Sequence, residues 1–366
     1  MKPGMKAKMD VMIVGGGGRE HALAERLARS PRVGKLCALP GNGGIAEVAE
    51  CVPIPATDLD AILAFARERS VDFAVVAPDD PLVMGLVDRL EAVGVRCFGP
   101  DARAAAIEGS KVYAKDLMRR YGIPTARYEV FDDADRALAY VASAKGPMVV
   151  KADGLARGKG VVVAEDAAQA GAAVVAIMRD RVFGASGDRV LIEERLSGPE
   201  VSVLAFTDGR TIVPMVSSMD HKRALDGDRG PNTGGMGAVA PNPHYTPELA
   251  ALCMERILRP TVDALRSEGR PFRGCLYFGL MLTADGPKVI EYNCRFGDPE
   301  AQAVLPLLES DLFEIMLAVR EERLAEVEVR FSEGASCCVV MASEGYPGKA
   351  REGMEIHIAS GLPPDT

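Results

Sequence analysis

Over its first hundred residues the chain alternates short apolar runs with amphipathic helical patterns, and this alternation constrains the fold more than any other feature. Val11-Met-Ile-Val14 reads as a buried strand. Four glycines follow (Gly15 to Gly18), then Arg19, Glu20 and a helical pattern with Ala22, Leu23, Leu27 and Ala28 on one face. Residues 36–39 form a second apolar run ending in Pro-Gly-Asn-Gly-Gly. A helix is predicted over 59–69 with Thr57 or Asp58 as cap, then a strand over 73–76 closed by Ala-Pro-Asp-Asp-Pro. Leu82, Val83, Leu86, Val87 and Leu90 make the next helix face. Strand–helix alternation of this kind builds a parallel, doubly wound sheet. Ligands of such sheets sit at the carboxyl ends of the strands, which singles out the loops 15–20, 41–44 and 78–80. The glycine run is not a dinucleotide fingerprint, because no third glycine opens the helix, so a Rossmann dehydrogenase is a weak reading.

At 366 residues the chain exceeds one ordinary core, and two or three domains are expected. A net charge of −9 argues against duplex nucleic acid as a partner, while leaving room for a local basic pocket. Eight cysteines occur without a C-x-x-C pair. Cys37, Cys97, Cys275 and Cys337 lie in apolar runs and read as reduced core thiols of a cytoplasmic protein. The first ten residues are polar, with no apolar segment of a signal peptide, and no apolar stretch approaches the roughly 20 residues of a membrane span.

Three later stretches carry chemistry. In Lys-Ala-Asp-Gly-Leu-Ala-Arg-Gly-Lys-Gly (151–160), Lys151 ends an apolar strand and needs a partner, since an ammonium buried alone is costly. Gly154, Gly158 and Gly160 let the backbone close over a phosphate that Lys159 can neutralise, although the Walker A spacing is absent. In Ile-Glu-Glu-Arg-Leu-Ser-Gly-Pro-Glu (192–200), the adjacent Glu193 and Glu194 must face opposite sides of a strand. One is a candidate for an adenine edge, with the backbone around Leu196, and the other is solvated; Glu200 is placed to accept from ribose hydroxyls. In Val-Ile-Glu-Tyr-Asn-Cys-Arg-Phe-Gly-Asp-Pro-Glu (289–300), Glu291 and Asn293 share one strand face, which suits Mg2+ or Mn2+ completed by nucleotide phosphates. Arg295 follows as a clamp for carboxylate or phosphate, with Asp298 in the turn beyond.

Ser110 caps a helix running to about residue 121, with Lys111 and Lys115 one turn apart. Asp220, His221, Lys222 and Arg223 make an anion-binding wall ahead of the glycine-rich stretch 227–237, which is expected to be an irregular ligand loop. Beyond Pro299 the pattern is helical to about residue 324, and 336–342 reads as a strand.

The ordered set Gly-Gly-Gly-Gly-Arg-Glu-His-Ala (15–22), Pro-Gly-Asn-Gly-Gly (40–44), the 151–160 stretch, Asp-His-Lys-Arg (220–223), Gly-Pro-Asn-Thr-Gly-Gly-Met-Gly (230–237) and Glu-Tyr-Asn-Cys-Arg-Phe-Gly-Asp-Pro-Glu (291–300) resembles the phosphoribosylamine–glycine ligases of the ATP-grasp superfamily. The resemblance covers nearly the whole chain. It implies a multidomain α/β and α+β protein. An N-terminal Rossmann-like domain (1–105) would precede an ATP-grasp domain (106–315) with a mobile lid around 123–192, and then a partial C-terminal domain (316–366).

The reaction implied joins glycine to 5-phosphoribosylamine through glycyl phosphate, with ATP and Mg2+ or Mn2+, in a cytoplasmic monomer. Lys111, Lys151, Gly158, Lys159, Gly160, Glu193, Glu194, Leu196 and Glu200 would bind ATP, and Glu291 and Asn293 the metal. Gly17, Gly18, Arg19, Glu20, Asn42, Gly43, Asp79, Asn232, Thr233, Gly234, Arg295 and Asp298 would bind substrates. Lys151, Asp220, Lys222 and Arg295 would act in catalysis. Departures are Asp79-Asp80 where the family has Glu-Ala, Arg157 and Arg195 in place of small or aromatic residues, and a strand over 274–282 without a further acidic ligand. The alternatives are another ATP-grasp carboxylate–amine ligase, against which the 230–237 loop argues, and a non-catalytic ATP-binding module.

Overall fold

A computed structural model describes residues 7–156, 160–227, 229–358 and 361. Its first sheet is parallel, with β1 (Met9–Gly15), β2 (Val33–Pro40), β3 (Glu50–Cys51), β4 (Phe73–Val76) and β5 (Arg96–Phe98) in the order β3-β2-β1-β4-β5. Two expected helices are present, Gly18–Ala28 and Leu59–Glu68 capped by the Asp58 side chain on Ala61 N, whereas the helix face expected over 82–90 is split into Asp79–Val83 and Leu86–Ala92 by Gly85, which is left-handed at φ 83°. Residues on alternate sides of β1 and β4 enter different cores. Met12, Val14, Ala74 and Val76 face one, and Met9, Val11, Ile13, Phe73 and Val75 face the other. Burial on both faces is why these strands are continuous apolar runs rather than alternating ones.

A second, antiparallel sheet contains β6 (Tyr128–Phe131), β7 (Met148–Ala152), β8 (Val161–Ala164) and β9 (Val190–Glu194) in the order β6-β9-β7-β8. With helices Ala134–Ser143 and Ala167–Val174 it has its own small core around Val150, Ala152, Ala170, Val174 and Ile192. This unit supplies Lys151, Glu193 and Glu194.

The chain then forms β10 (Glu200–Asp208), β11 (Ile212–Pro214), β12 (Met219–Asp220), β13 (Arg223–Leu225), β14 (Arg229–Asn232), β15 (Gly237–Ala240), β16 (Arg273–Thr283), β17 (Gly286–Asn293) and β18 (Ser336–Val339). The central antiparallel sheet runs β11-β10-β16-β17. Val201, Val203, Leu276, Phe278 and Leu280 join the core of Met12 and Val14, while Leu204, Phe206, Cys275 and Tyr277 join that of Met9 and Ile13. The parallel sheet and the central sheet therefore share both cores.

Three further expectations are corrected. The 227–237 stretch is not wholly irregular: β13 pairs with β14, Arg223 opposite Asn232, and β15 pairs with β12 and β18. The segment after Pro299 is broken into Glu300–Val304, Leu305–Leu307, Leu312–Arg320 and Leu324–Glu326, with Pro306 and the Asp311 cap interrupting the run. Cys337 is exposed, because it lies on the uncovered face of β18 while Cys338 packs against the core, and Cys37 is only partly buried, whereas Cys97 and Cys275 are buried as expected.

Candidate active site

Lys151 stands near the end of β7, an interior strand of the second sheet, and its Nζ donates to the Ile290 carbonyl of β17 at 2.9 Å. The same Nζ lies 3.2 Å from Glu193 Oε2. The second and central sheets thus meet one residue before Glu291. Ser110 caps helix Lys111–Tyr121 and donates to Asp153 Oδ1, which also accepts from Val112 N. That arrangement brings Lys111 Nζ to the Gly154 carbonyl at 2.7 Å. Burial and the neighbouring Lys151 ammonium lower the Lys111 pKa.

Glu193 points inward and is 4% exposed; Glu194 points outward, accepting from Arg127 N and Nε at 3.0 and 2.8 Å. The period of two along β9 demands this split. Leu196 is half-buried in the following turn, and the neighbouring Arg195 is paired with Glu165. Gly160 O accepts from Ala152 N at 2.8 Å, while Gly158 and Lys159 lie outside the described residues.

On β17, Glu291 and Asn293 lie on one face opposite Gly279 and Tyr277 of β16. A side chain at Gly279 would crowd Glu291, since a Cβ there would lie 2.8 Å from Glu291 Cγ. Lys222 Nζ sits 3.1 Å from Glu200 Oε2 and 3.8 Å from Glu291 Oε1. Both Glu291 and Lys222 stay open to the cleft, at 39% and 37% exposure. Burial pushes the Glu291 carboxyl up, but Lys222, Lys151, Arg295 and Lys111 together outweigh it and hold it below its usual value. Burial likewise works against the charge on Lys222, and Glu291, Glu200 and Asp220 overcome it, raising its pKa.

Among the described residues no group of three or more His, Cys, Asp or Glu side chains would hold a metal by themselves. The donor set still fits Mg2+ or Mn2+. Glu291 is kept ionised and already faces a cation, the Lys222 ammonium, and Asn293 adds an amide oxygen on the same face. Such ions keep several positions for phosphate and water.

Asp220 is half-buried on β12, and its Oδ1 is buried without a hydrogen-bond partner. Burial, then the nearby Glu300 carboxylate, pushes its pKa up to about 7. Glu300 is itself buried, accepting from Tyr277 OH at 2.9 Å and Ser202 Oγ at 3.2 Å. Thr233 binds the Lys222 carbonyl through N and Oγ1 at 2.7 and 2.9 Å, fixing the wall residue from the hairpin. Gly234 N donates to Tyr346 OH, and Asn232 is exposed.

Arg295 bonds Glu108 Oε1 (3.3 Å), Asn293 Oδ1 (3.2 Å) and the Phe296 carbonyl (3.1 Å). Its partner is Glu108, on helix Ala102–Gly109. The Phe296 carbonyl also accepts from Arg19 Nη1 at 3.1 Å. Arg19 Nε and Gly17 N hold the two oxygens of Glu20, at 2.6 Å each, and Arg19 N reaches Asp298 Oδ2 at 3.4 Å. Asn42 donates to the Gly16 and Gly17 carbonyls, next to Gly43. Asp79 opens helix Asp79–Val83 and accepts from Asp80 N. The loop after β1 therefore meets the 295–298 turn directly, the loop after β2 packs on that glycine loop, and Asp79 after β4 lies near enough to Arg295 to favour its charge. Sequence reasoning missed Glu108, Lys115 and Glu300 as members of the site. Only the lysine left a trace, its position one turn from Lys111.

A cleft between an antiparallel sheet that carries Lys151 and a central strand bearing metal-type oxygens, beside a doubly wound domain, is the ATP-grasp architecture. Residues 9–108 match the N domain, and 109–301 the ATP-grasp (A) domain, of phosphoribosylglycinamide synthetase. A phosphoribosylamine–glycine ligase of Caldanaerobacter subterraneus subsp. tengcongensis is 47% identical over 95% of this chain and 84% of its own. One from Halalkalibacterium halodurans is 49% identical over 98% of this chain and 83% of its own. The crystal structure of the Thermotoga maritima phosphoribosylamine–glycine ligase superposes with a TM-score of 0.84 at 34% identity, covering 96% of this chain and 85% of that one. The chain belongs to the phosphoribosylglycinamide synthetase family.

Proposed function

We propose that this chain is an ATP-dependent carbon–nitrogen ligase that joins glycine to 5-phosphoribosylamine. A glycine carboxylate oxygen attacks the γ-phosphorus of ATP and ADP leaves, giving glycyl phosphate. The amine of phosphoribosylamine then attacks the acyl carbon and phosphate departs, giving glycinamide ribonucleotide. Chemistry of this kind asks the protein mainly for positioning and charge stabilisation.

The observation that carries the reading is the meeting of Lys151 with the Ile290 carbonyl beside Glu291, which brings phosphate-binding and metal-binding walls together. Lys111 and Lys151 face the triphosphate, with Gly158, Lys159 and Gly160 folding over it. Glu193, Glu194, Leu196 and Glu200 line the nucleoside end. Lys222 and Arg295 offset charge on the transferred phosphoryl group and acyl phosphate, and Asp220 accepts a proton from the attacking amine. Gly17, Gly18, Arg19, Glu20, Asn42, Gly43, Asp79 and Asp298 build the phosphoribosylamine pocket, with Asn232, Thr233 and Gly234 closing it. Glu291 and Asn293 would hold Mg2+ or Mn2+, which supplies neutralisation of phosphate charge when bound.

We read the protein as a monomer of the cytoplasm, and no helix among the described residues is long and apolar enough to cross a membrane. The deciding measurement is ADP formation with carboxylates and amines varied separately. Turnover should require glycine and phosphoribosylamine together; strong turnover with another carboxylate would refute the assignment, and ATP binding without any turnover would favour the non-catalytic module.

A further inference from the structure

Lys115 has no role in the chemistry described above, yet it is the most deeply buried lysine among the described residues, 3% exposed. It lies one turn after Lys111 on helix Lys111–Tyr121. Its Nζ is 3.1 Å from Glu193 Oε2 and donates to Thr125 Oγ1 at 2.7 Å, and Thr125 in turn donates to the Val289 carbonyl at 2.7 Å. Glu193 Oε2 therefore serves two ammonium groups, Lys115 from behind and Lys151 from the cleft side. Glu193 Oε1 is buried without a partner. The helix, strand β9 and the central strand β17 are pinned through this one carboxylate.

Among the described residues Lys115 and Lys151 share one bonded carboxylate, Glu193, while Lys111 bonds a carbonyl and has Glu291, Asp153 and Glu108 near enough to favour its charged form. Groups facing Lys115 are Glu193 and Glu194 on β9, Lys151 on β7 and the Tyr128 ring on β6, 5.5 Å from Nζ, whose hydroxyl is bonded to Asp116. A buried excess of positive charge is relieved either by losing a proton or by gaining an anion.

We propose that Lys115 is a positioning residue for the nucleotide site, holding Lys151 in place through the shared Glu193 carboxylate, and that it takes up a proton when the nucleotide phosphates arrive. The inference rests on the ATP reading above. In the free protein, burial, opposed by Glu193 and reinforced by Lys151, brings Lys115 down to about 8. A polyanion bound beside Lys151 restores the charged form, so binding and protonation are linked.

The test is calorimetry of ADP binding to the full chain at pH 8, in two buffers of different ionisation enthalpy. ADP is already fully ionised there, its last phosphate pKa being about 6 to 7. The wild-type protein should take up about half a proton per ADP. Lys115→Arg keeps the cation but does not titrate, so it should bind ADP within a few-fold of wild type with the uptake lost. Lys115→Met, lacking the cation, should bind at least about tenfold more weakly. Should the methionine variant fail to fold, the wild-type and arginine measurements decide the matter. Uptake undiminished in Lys115→Arg, or ADP binding to wild type with no buffer dependence, overturns the proposal while leaving the nucleotide reading intact. No ADP binding to wild type overturns both.

Discussion

Arg295→Met removes the cation from a pair that is nearly shut off from water, since Arg295 is 19% and Glu108 7% exposed at a separation of 3.3 Å. Methionine keeps much of the arginine stem's packing, so the main loss is electrostatic. Breaking a buried ion pair from one side costs about 3–5 kcal/mol, because the surviving charge stays desolvated. Glu108 would keep the Cys294 N–H, 2.7 Å away, and the Cys294 thiol, both uncharged, and its carboxyl is already raised by burial against the pull of Arg295. Without the guanidinium it rises further. A carboxyl raised in the folded state binds a proton that the unfolded state releases, so stability falls as pH climbs from the usual carboxylate range through the folded pKa. The variant should therefore lose more at pH 8 than at pH 5. For the whole chain unfolding together, the pH 8 loss corresponds to a drop in Tm of about 4–6 °C. Adding Glu108→Gln removes the stranded charge and should restore about 2 kcal/mol. Thermal and urea unfolding of the four proteins at both pH values read this out. A single variant within about 1 kcal/mol of wild type, or single penalties that simply add in the double variant, would falsify the reasoning.

Asp220 gives a prediction of opposite sign for stability. Its folded pKa near 7 means that wild-type stability declines between about pH 4 and 7 as the carboxyl ionises. Asp220→Asn should be more stable than wild type by roughly 1–3 kcal/mol at pH 8, and close to it at pH 4, while ligase turnover falls about 10²-fold; a variant no more stable at pH 8 contradicts the unpartnered-carboxylate account. Gly16→Ala would place a Cβ 2.5 Å from the Gly41 carbonyl, backbone against backbone, so the two glycine loops must separate. Its KM for phosphoribosylamine should rise roughly tenfold with the KM for ATP little changed, and equal effects on both would mean that these loops do not form the sugar-phosphate pocket. Glu291→Gln removes the charge that faces Lys222, and Mn2+ affinity of the ADP complex, followed by electron paramagnetic resonance, should fall about tenfold or more; unchanged affinity places the cation elsewhere.

Local physics made the framework readable. β1 and β4 announce themselves because both their faces are buried, so their apolar runs are unbroken. Ser110 and Asp58 cap the helices their side chains can reach, a property of three neighbouring residues and hence of sequence. Period-two geometry required one of Glu193 and Glu194 to face inward, but which one depends on where Lys115 and Lys151 lie. The hairpin of β13 and β14 escaped notice because its strands are short and polar with no alternation, held by a register that glycine-rich composition does not reveal. Cys337 looked like a core residue because a strand with one uncovered face can carry the same apolar run as one buried on both faces.

What stayed hidden is of one kind: charge pairs between distant segments, such as Glu108 with Arg295 and Lys115 with Glu193. These pairs show how a chain of net charge −9 gathers several cations in one cleft. The acids at the site are bound up with cations, as Glu108 is with Arg295 and Glu200 with Lys222, or lifted toward neutrality, as Asp220 is. Lys111 is the contrast, spending its hydrogen bond on the neutral Gly154 carbonyl, while Lys151 bonds the Ile290 carbonyl and has to share the Glu193 carboxylate with Lys115, so that its positive charge is only partly cancelled. A triphosphate is attracted by that uncancelled charge near the cleft, whereas the overall charge of the chain is felt at longer range and is screened by salt.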